Sequence, residues 1–296
     1  WVIVTCTFFM MKNLPGTPFD AERFSIMTPQ QQERVLEMYG LNDSLPMQYV
    51  KYIKNMLKGD LGTSFTYVNQ DVSKVITGRL GPSALIGIQA VLIGLAIGLI
   101  LGILAAWKHN SGIDYFTMIL AVLGVSVPNF VAAALLQYYI GLKWGVLPVG
   151  FWTGWNCSVL PSIALSFSAT AMVARFMRTE MLDVLDQDYI VTARAKGLSQ
   201  MKVLMRHAVR NSILPVVTIL GPIVVNLMTG SLAVENIFSI PGIGSLFVDC
   251  IKANDYPVIM GITIFYAAFY MLIVLLVDLA YSLIDPRIRL AKGKES

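Results

Sequence analysis

The chain has 296 residues, 56% hydrophobic and 14% charged, with a formal net charge of +4 and a mean hydropathy of +0.66. Soluble domains carry about 25% charged residues, so a soluble protein of this size could not cover its surface. Lipid as solvent removes that demand, and the composition points to an integral membrane protein. The basic residues have no interleaved aromatics and form no nucleic-acid module, so nucleic acid is not an expected partner. Cys6, Cys157 and Cys250 show no metal spacing. With His109 and His207 as the only histidines, no structural metal site is expected.

Residues 1–14 open with "WVIVTCTFFMM", apolar for 11 residues before Lys12. A spanning helix needs about 20. The expectation is the second half of a first transmembrane helix whose start is missing, with a signal-peptide core as the alternative. Residues 15–80 are polar enough to lie outside the bilayer. Thr28 is a plausible N-cap for an amphipathic helix to Tyr39 that Gly40 ends. "LPMQYVKYIKNMLKG" reads as a second helix, with Tyr49, Ile53 and Leu57 at spacing four and Gly59 beyond its end. Two short helices on the outer surface, or an inert spacer, are the readings.

Five apolar runs follow within residues 81–284: Gly81–Trp107, Tyr115–Leu142, Val159–Val173, Val216–Val234 and Met260–Ile284. With the partial first helix, six transmembrane helices are expected. Gly94, Gly98 and Gly102 form a stripe that lets another helix backbone approach closely, in this chain or in another subunit. Pro128 falls mid-span and should kink its helix, as packing or as a hinge. Asp278 is the only ionisable residue well inside a run; pairing with a basic loop residue is the favoured role over a proton relay.

Orientation comes from Lys and Arg in short loops. With the N-terminus inside, residues 107–114, 174–215 and 285–296 carry 12 of them on the inner side, against Lys143 and Lys252 outside. Both termini are thus expected in the cytoplasm. The long segment 14–80 carries 7 more but counts little at that length.

"QDYIVTARAKGLSQMKVLMRHAVRNSILP", residues 187–215, is a basic island between apolar runs. Leu198, Met201, Met205 and Ala208 form an apolar stripe beside Lys202, Arg206 and Arg210. Gly197 should end a first short helix and Ser199 cap a second one lying along the membrane surface. An anchor to anionic headgroups, an interfacial helix without partner, and a docking element for a cytoplasmic protein all fit. The loop 235–259 reads as a scoop or receptor contact, or as a re-entrant turn that packs the bundle.

Several ordered blocks carry a resemblance. "QDYIVTARAKGLS", "RHAVRNSILPVVT", "VENIFSIPGIGSLFVDCIKANDYPVIMG" and "VDLAYSLIDPRIR", with "LPGTPF" and "GDLGTSF" earlier, resemble the permease subunits of peptide-type ABC importers, the oligopeptide/dipeptide permease B family, from about residue 10 to 289. The resemblance implies an all-α, polytopic fold with a type I importer (MetI-like) core of five helices over 81–284 and a cytoplasmic coupling-helix loop at 174–215. It implies a bacterial inner membrane location. The partners would be a second permease, two ATP-binding subunits and an extracellular substrate-binding lipoprotein or periplasmic protein, with lipid around and peptide as substrate. No cofactor is expected on this chain, ATP and Mg being held by the partner subunits; no GxxxxGK[ST] occurs in it.

The resemblance also assigns Asp188, Tyr189, Thr192, Ala193, Arg194, Ala195, Lys196, Gly197 and Leu198 to ATPase coupling, through the family's EAA motif. Matching Gly197 puts Ala193 at the motif's third position. Val191 stands where the general motif has Glu, and Leu214–Pro215 come eighteen residues after Gly197 rather than thirteen. Glu235, Pro241, Gly242, Gly244, Asp249 and Asp255 are the expected binding-protein or gate contacts. A nickel or metal-chelate importer of the same type is the alternative. Of other classes, an ion-coupled secondary transporter would show inverted repeats and broken charged helices, and a channel or scaffold would need no ATPase.

Overall fold

A computed structural model describes residues 1–13, 24, 26–38, 40–67, 69–228 and 231–284. The regular elements among the described residues are all helices, with one isolated bridge, Thr63 to Asp71. The tail 285–296, the expected helix end at Tyr39 and the "LPGTPF" block lie outside them. The chain divides into two compact units, residues 1–81 with 242–268, and residues 82–241 with the chain from Phe269.

The first unit begins with α1 (Val2–Lys12), α2 (Pro29–Met38) and α3 (Leu45–Leu57). The Thr28 cap forms as a reciprocal box: the Thr28 N–H donates to Gln31 Oε1 at 2.9 Å, and the Gln31 N–H to Thr28 Oγ1 at 3.4 Å. Of the α3 stripe, Ile53 is buried with Val4, Phe8 and Met260, and Tyr49 and Tyr52 pack on that cluster. Leu57 is exposed instead. The α3 helix is therefore packed on α1, with Tyr49 and Thr5 sharing a 2.7 Å hydrogen bond. A second cluster joins Val72, Val75 and Ile76 at the start of α4 (Val72–Trp107) to Ile243 and Leu246.

In the second unit, α5 (Gly112–Ser126) and α6 (Asn129–Leu136, continued by a π-turn Gln137–Lys143) come from one expected span. They bend by 100° at their junction. Pro128 disfavours helical backbone at the residue before it, and Val127 is extended at φ −81°, ψ 118°. The expected kink is a full break.

Next is α7 (Val159–Leu185), whose most apolar stretch is 67% buried, against 25–28% for the other long helices. This makes α7 the central post. The glycine stripe finds its partner there. A Cβ on Gly94 would sit 2.7 Å from Ala169 Cβ, one on Gly98 2.7 Å from Val173 Cβ, and one on Gly102 2.6 Å from Ala174 O. The stripe thus packs α4 on α7 within this chain, by backbone approach that any side chain would block.

There follow α8 (Asp188–Ala195), α9 (Gln200–Val203), a π-turn (Leu204–Val209), α10 (Arg210–Met228), α11 (Leu232–Ile237), α12 (Ile243–Lys252) and α13 (Tyr256–Ile284). Among the described residues, four helical stretches are long and apolar enough to span a bilayer, or five if α5 and α6 form one span; α1 is an eleven-residue apolar helix.

Candidate functional site

The basic island is built around α8. The α7 helix ends at Leu185, and only Asp186 and Gln187 precede α8; only residues 196–199 separate α8 from α9. Asp188 sits in the first turn and Arg194 in the last, each placed to complement the helix dipole. Gly197, at φ +77°, ends the helix. The Gly197 N–H donates to Arg194 O (3.0 Å) and the Leu198 N–H to Ala193 O (3.4 Å), a Schellman closure that wants glycine. Gly197 thus serves by its backbone, since nothing lies within 4 Å of where a Cβ would be.

The faces of α8 divide cleanly. Ile190 and Ala193 are buried with Val203, and Leu198, Leu185 and Val184 close over them. Asp188, Tyr189, Val191, Thr192, Arg194, Ala195, Lys196 and Gly197 are exposed, Val191 at 59%. Of the expected coupling residues, Ala193 and Leu198 hold the helix in place and the others offer a surface. Tyr189 Oη accepts from Asn211 Nδ2 at 3.0 Å, which ties α8 to α10.

The second half of the island departs from expectation. There is no separate surface helix: α9, the π-turn and α10 run on without a break from Gln200 to Met228. Ser199 takes the N-cap place with extended backbone, though its side chain makes no cap bond. Met201 and Met205 are exposed, while Val203, Leu204 and Ala208 are buried, so the apolar face is not the stripe read from spacing. Lys202, Arg206 and Arg210 are exposed on this continuous helix.

The six outer-loop residues fall in both units. In the second unit Glu235 is buried, accepting from Ser83 Oγ at 2.7 Å, and Pro241 is half-buried. In the first, Gly242 caps α12, its N–H donating to Ser245 Oγ at 3.2 Å, and Gly244 is buried. Asp255 is fully buried. Its carboxylate accepts from Ser64 Oγ, from the N–H groups of Phe65 (3.2 Å) and Thr66 (3.0 Å), and from Val258 N–H (3.4 Å). Ser64 Oγ accepts in turn from Tyr67 N–H at 2.8 Å. The "GDLGTSF" block is therefore the strap that Asp255 clamps. Glu235 and Asp255 hold the fold in this structure instead of facing a partner; Asp249 alone of the six is exposed.

One ionisable cluster escaped the sequence reading. Asp114, 2% exposed, takes a bidentate pair from Arg178: Nε to Oδ1 at 2.6 Å and Nη2 to Oδ2 at 2.8 Å. His109 Nδ1 lies 3.1 Å from the same carboxylate, and the Asn110 N–H donates to it at 3.0 Å. This cluster fastens the α4–α5 turn to α7, ten residues before the coupling segment begins at Asp188. The signal was present, since Asp114 and Arg178 both end apolar runs on the side assigned to the cytoplasm. Asp278 is exposed and has no ion-pair partner among the described residues; Arg287 and Arg289, the basic residues nearest to it in sequence, lie outside them.

The family described as the binding-protein-dependent transport system inner membrane component matches residues 98–290. Curated relatives include the dipeptide transport system permease protein DppB of Lactococcus lactis subsp. cremoris (strain MG1363), 45% identical over 290 residues, 98% of this chain and 95% of that protein. DppB of Bacillus subtilis (strain 168) is 44% identical, covering 98% and 94%. The oligopeptide transport system permease protein OppB of Escherichia coli (strain K12) is 38% identical, again covering 98% and 94%. Among solved structures, an inward-facing form of the MetNI methionine ABC transporter aligns with a TM-score of 0.61 at 14% identity, over 71% of this chain and 96% of that one. An amino acid ABC transporter aligns at 0.54 and 19%, over 73% and 94%. At such low identity these two speak to fold alone. The family match over most of the chain and relatives of this identity lead to one conclusion: the chain belongs to the inner-membrane component family of binding-protein-dependent transport systems.

Proposed function

We propose that this chain is one of two permease subunits of an ATP-driven importer of dipeptides or oligopeptides in a bacterial cell membrane. Relatives at 38–45% identity that carry those substrates in their names support the reading. Membership of a binding-protein-dependent family removes the ion-coupled alternative. ATP hydrolysis belongs to two partner subunits, and a binding protein delivers the substrate from outside. The inner-side excess of Lys and Arg orients α8 and both termini to the cytoplasm. Residues 15–80 then lie outside, with Asp249 the outer-loop residue free to meet the binding protein.

The observation that carries the reading is α8 itself: a helix anchored by Ile190 and Ala193, locked at Gly197, with an exposed outer face. Its outward Tyr189 and Val191, with exposed Met201 and Met205 nearby in sequence, offer apolar contact. Arg194, Lys196, Lys202, Arg206 and Arg210 surround that contact with positive charge. The fitting ATPase groove has an apolar floor and an acidic rim. Val191 then grips by desolvation where the general motif would use an acid. Closure of the ATPases on ATP moves α8, and the short links on either side pass the movement to α7 and to the helix running from Gln200.

Val191→Asp should change stability by no more than about 0.5 kcal/mol, as exposed substitutions do, yet cut ATP-driven peptide uptake at least about tenfold. Gly197→Leu should abolish uptake while the protein stays in the membrane. Normal uptake by both variants would sink the coupling assignment.

A further inference from the structure

The first unit contains a cavity of about 370 Å³ between α2, α3, the strap 60–65 and the start of α13. That volume lies in the range of small-molecule sites, about 300–1,000 Å³. Its lining carries charge of both signs. Lys12 is half-buried, its Nζ 5.8 Å from the Phe8 ring centre and 5.6 Å from that of Tyr256. Among the described residues no carboxylate pairs with it. Tyr52 also lines the cavity, and its hydroxyl is sealed from solvent without any hydrogen-bond partner. Burial raises that phenol above its ordinary range, so it stays a neutral donor. The lining also includes the exposed carboxylates of Glu37 and Asp60; Asp60 commits one oxygen to the Gly62 N–H at 2.8 Å. The second lysine of the lining, Lys51, is taken by Asp43 at 2.6 Å. Met260 and Pro257 supply apolar wall.

Buried donors without acceptors are rare enough to need an explanation. Here the buried Tyr52 hydroxyl lacks an acceptor and the half-buried Lys12 lacks a carboxylate partner among the described residues, in a cavity whose lining also carries two exposed carboxylates. We infer that this cavity is a second substrate site, taking a short zwitterionic peptide with its carboxylate on Lys12 and Tyr52 and its ammonium toward Glu37 and Asp60. The hydroxyl is shielded in the empty cavity, so entry of the carboxylate requires neighbouring side chains to shift, and Lys12 on its four-carbon stem is the mobile wall. The site receives the two termini and asks little of the side chains between them. Naming the zwitterion a peptide rests on the importer reading above.

The test uses the complete transporter in lipid nanodiscs, without binding protein or ATP, and trialanine as probe. Saturation-transfer NMR should detect binding of the free acid. Trialanine amide should bind about tenfold more weakly, as for loss of one charge-assisted contact. Lys12→Met should weaken binding to the same degree. Tyr52→Phe should weaken it too, while raising the melting temperature of the empty protein, because the orphan hydroxyl is gone. That pairing of gained stability with lost binding would not arise from a purely structural tyrosine. Equal binding of acid and amide, or unchanged binding by both variants, would overturn the site. A lipid phosphate is the other oxyanion that could reach Lys12. If phosphatidylglycerol nanodiscs abolish trialanine binding that phosphatidylcholine nanodiscs support, the occupant is lipid and the peptide assignment falls. ATP- and binding-protein-dependent uptake is measured in parallel. Uptake without direct binding rejects this site alone, and absent uptake rejects the importer reading.

Discussion

The coupling segment and the Asp255 strap are both marked by short sequence blocks, yet they spend their polar residues in opposite ways. In α8 the buried residues are apolar, Ile190 and Ala193, and the polar ones stand outside. At the strap, the buried residue is an acid, and its oxygens are consumed by a hydroxyl and backbone N–H groups. The first pattern leaves a surface exposed and open to a partner. The second saturates itself and leaves nothing to offer. A motif therefore reveals its job through the direction in which its polar groups point.

Breaking the saturated region should have the largest effect. Asp255→Ala strands several donors around a buried space, at a cost of about 3 kcal/mol or more. Thermal unfolding in detergent should show a much lowered melting temperature, and the amount in membranes should fall. Arg178→Ala should come next, because it leaves Asp114 buried and unpaired, at about 3 kcal/mol. Removing both members with Asp114→Asn as well should recover part of that loss in the same assay. A full loss retained in the double variant would mean that the pair is not the cause.

Gly197→Ala sharpens the other side of the comparison. A side chain at φ +77° costs about 1 kcal/mol, and Gly197→Asn should cost less, since Asn tolerates that backbone. Uptake should rank glycine above asparagine above alanine, with membrane levels nearly constant. The smallest effect is chemical. Cys6 is exposed on α1, a helix read as part of a membrane span, and should react with a lipid-soluble maleimide. Cys250 is buried, its thiol pushed up to about 12 by burial and by Asp255 and Asp249, and should react only on unfolding.

Much of this architecture was legible in the amino-acid order because it depends on local properties. The apolar runs became helices, the glycine stripe became a close helix contact, and Gly197 ended α8. The glycine stripe did not name its partner, which required Ala169, Val173 and Ala174 seventy-odd residues away. The burial of Glu235 and Asp255 was illegible for the same reason: their partners Ser83 and Ser64 are 152 and 191 residues distant. The continuous helix from Gln200 could have been read, since no Gly or Pro stands between Gln200 and Leu214 to stop it. The amphipathic stripe suggested a surface helix instead. At Pro128 the rule about the preceding residue was the stronger one, and it predicts a break at Val127 where the missing N–H predicts only a kink.

The π-turn at Leu204–Val209 sets the angular phase between the grip and the span. Each residue of an α-helix turns the chain by about 100°, so the wider turn slips the phase of everything N-terminal to it relative to α10. That slip is why Met201 and Met205 face outward while Ala208 faces in. Tightening that turn to ordinary α geometry at unchanged length would swing α8 around the helix axis by about a quarter-turn. The apolar and basic face would be intact, carried on an intact helix, and aimed at the wrong bearing.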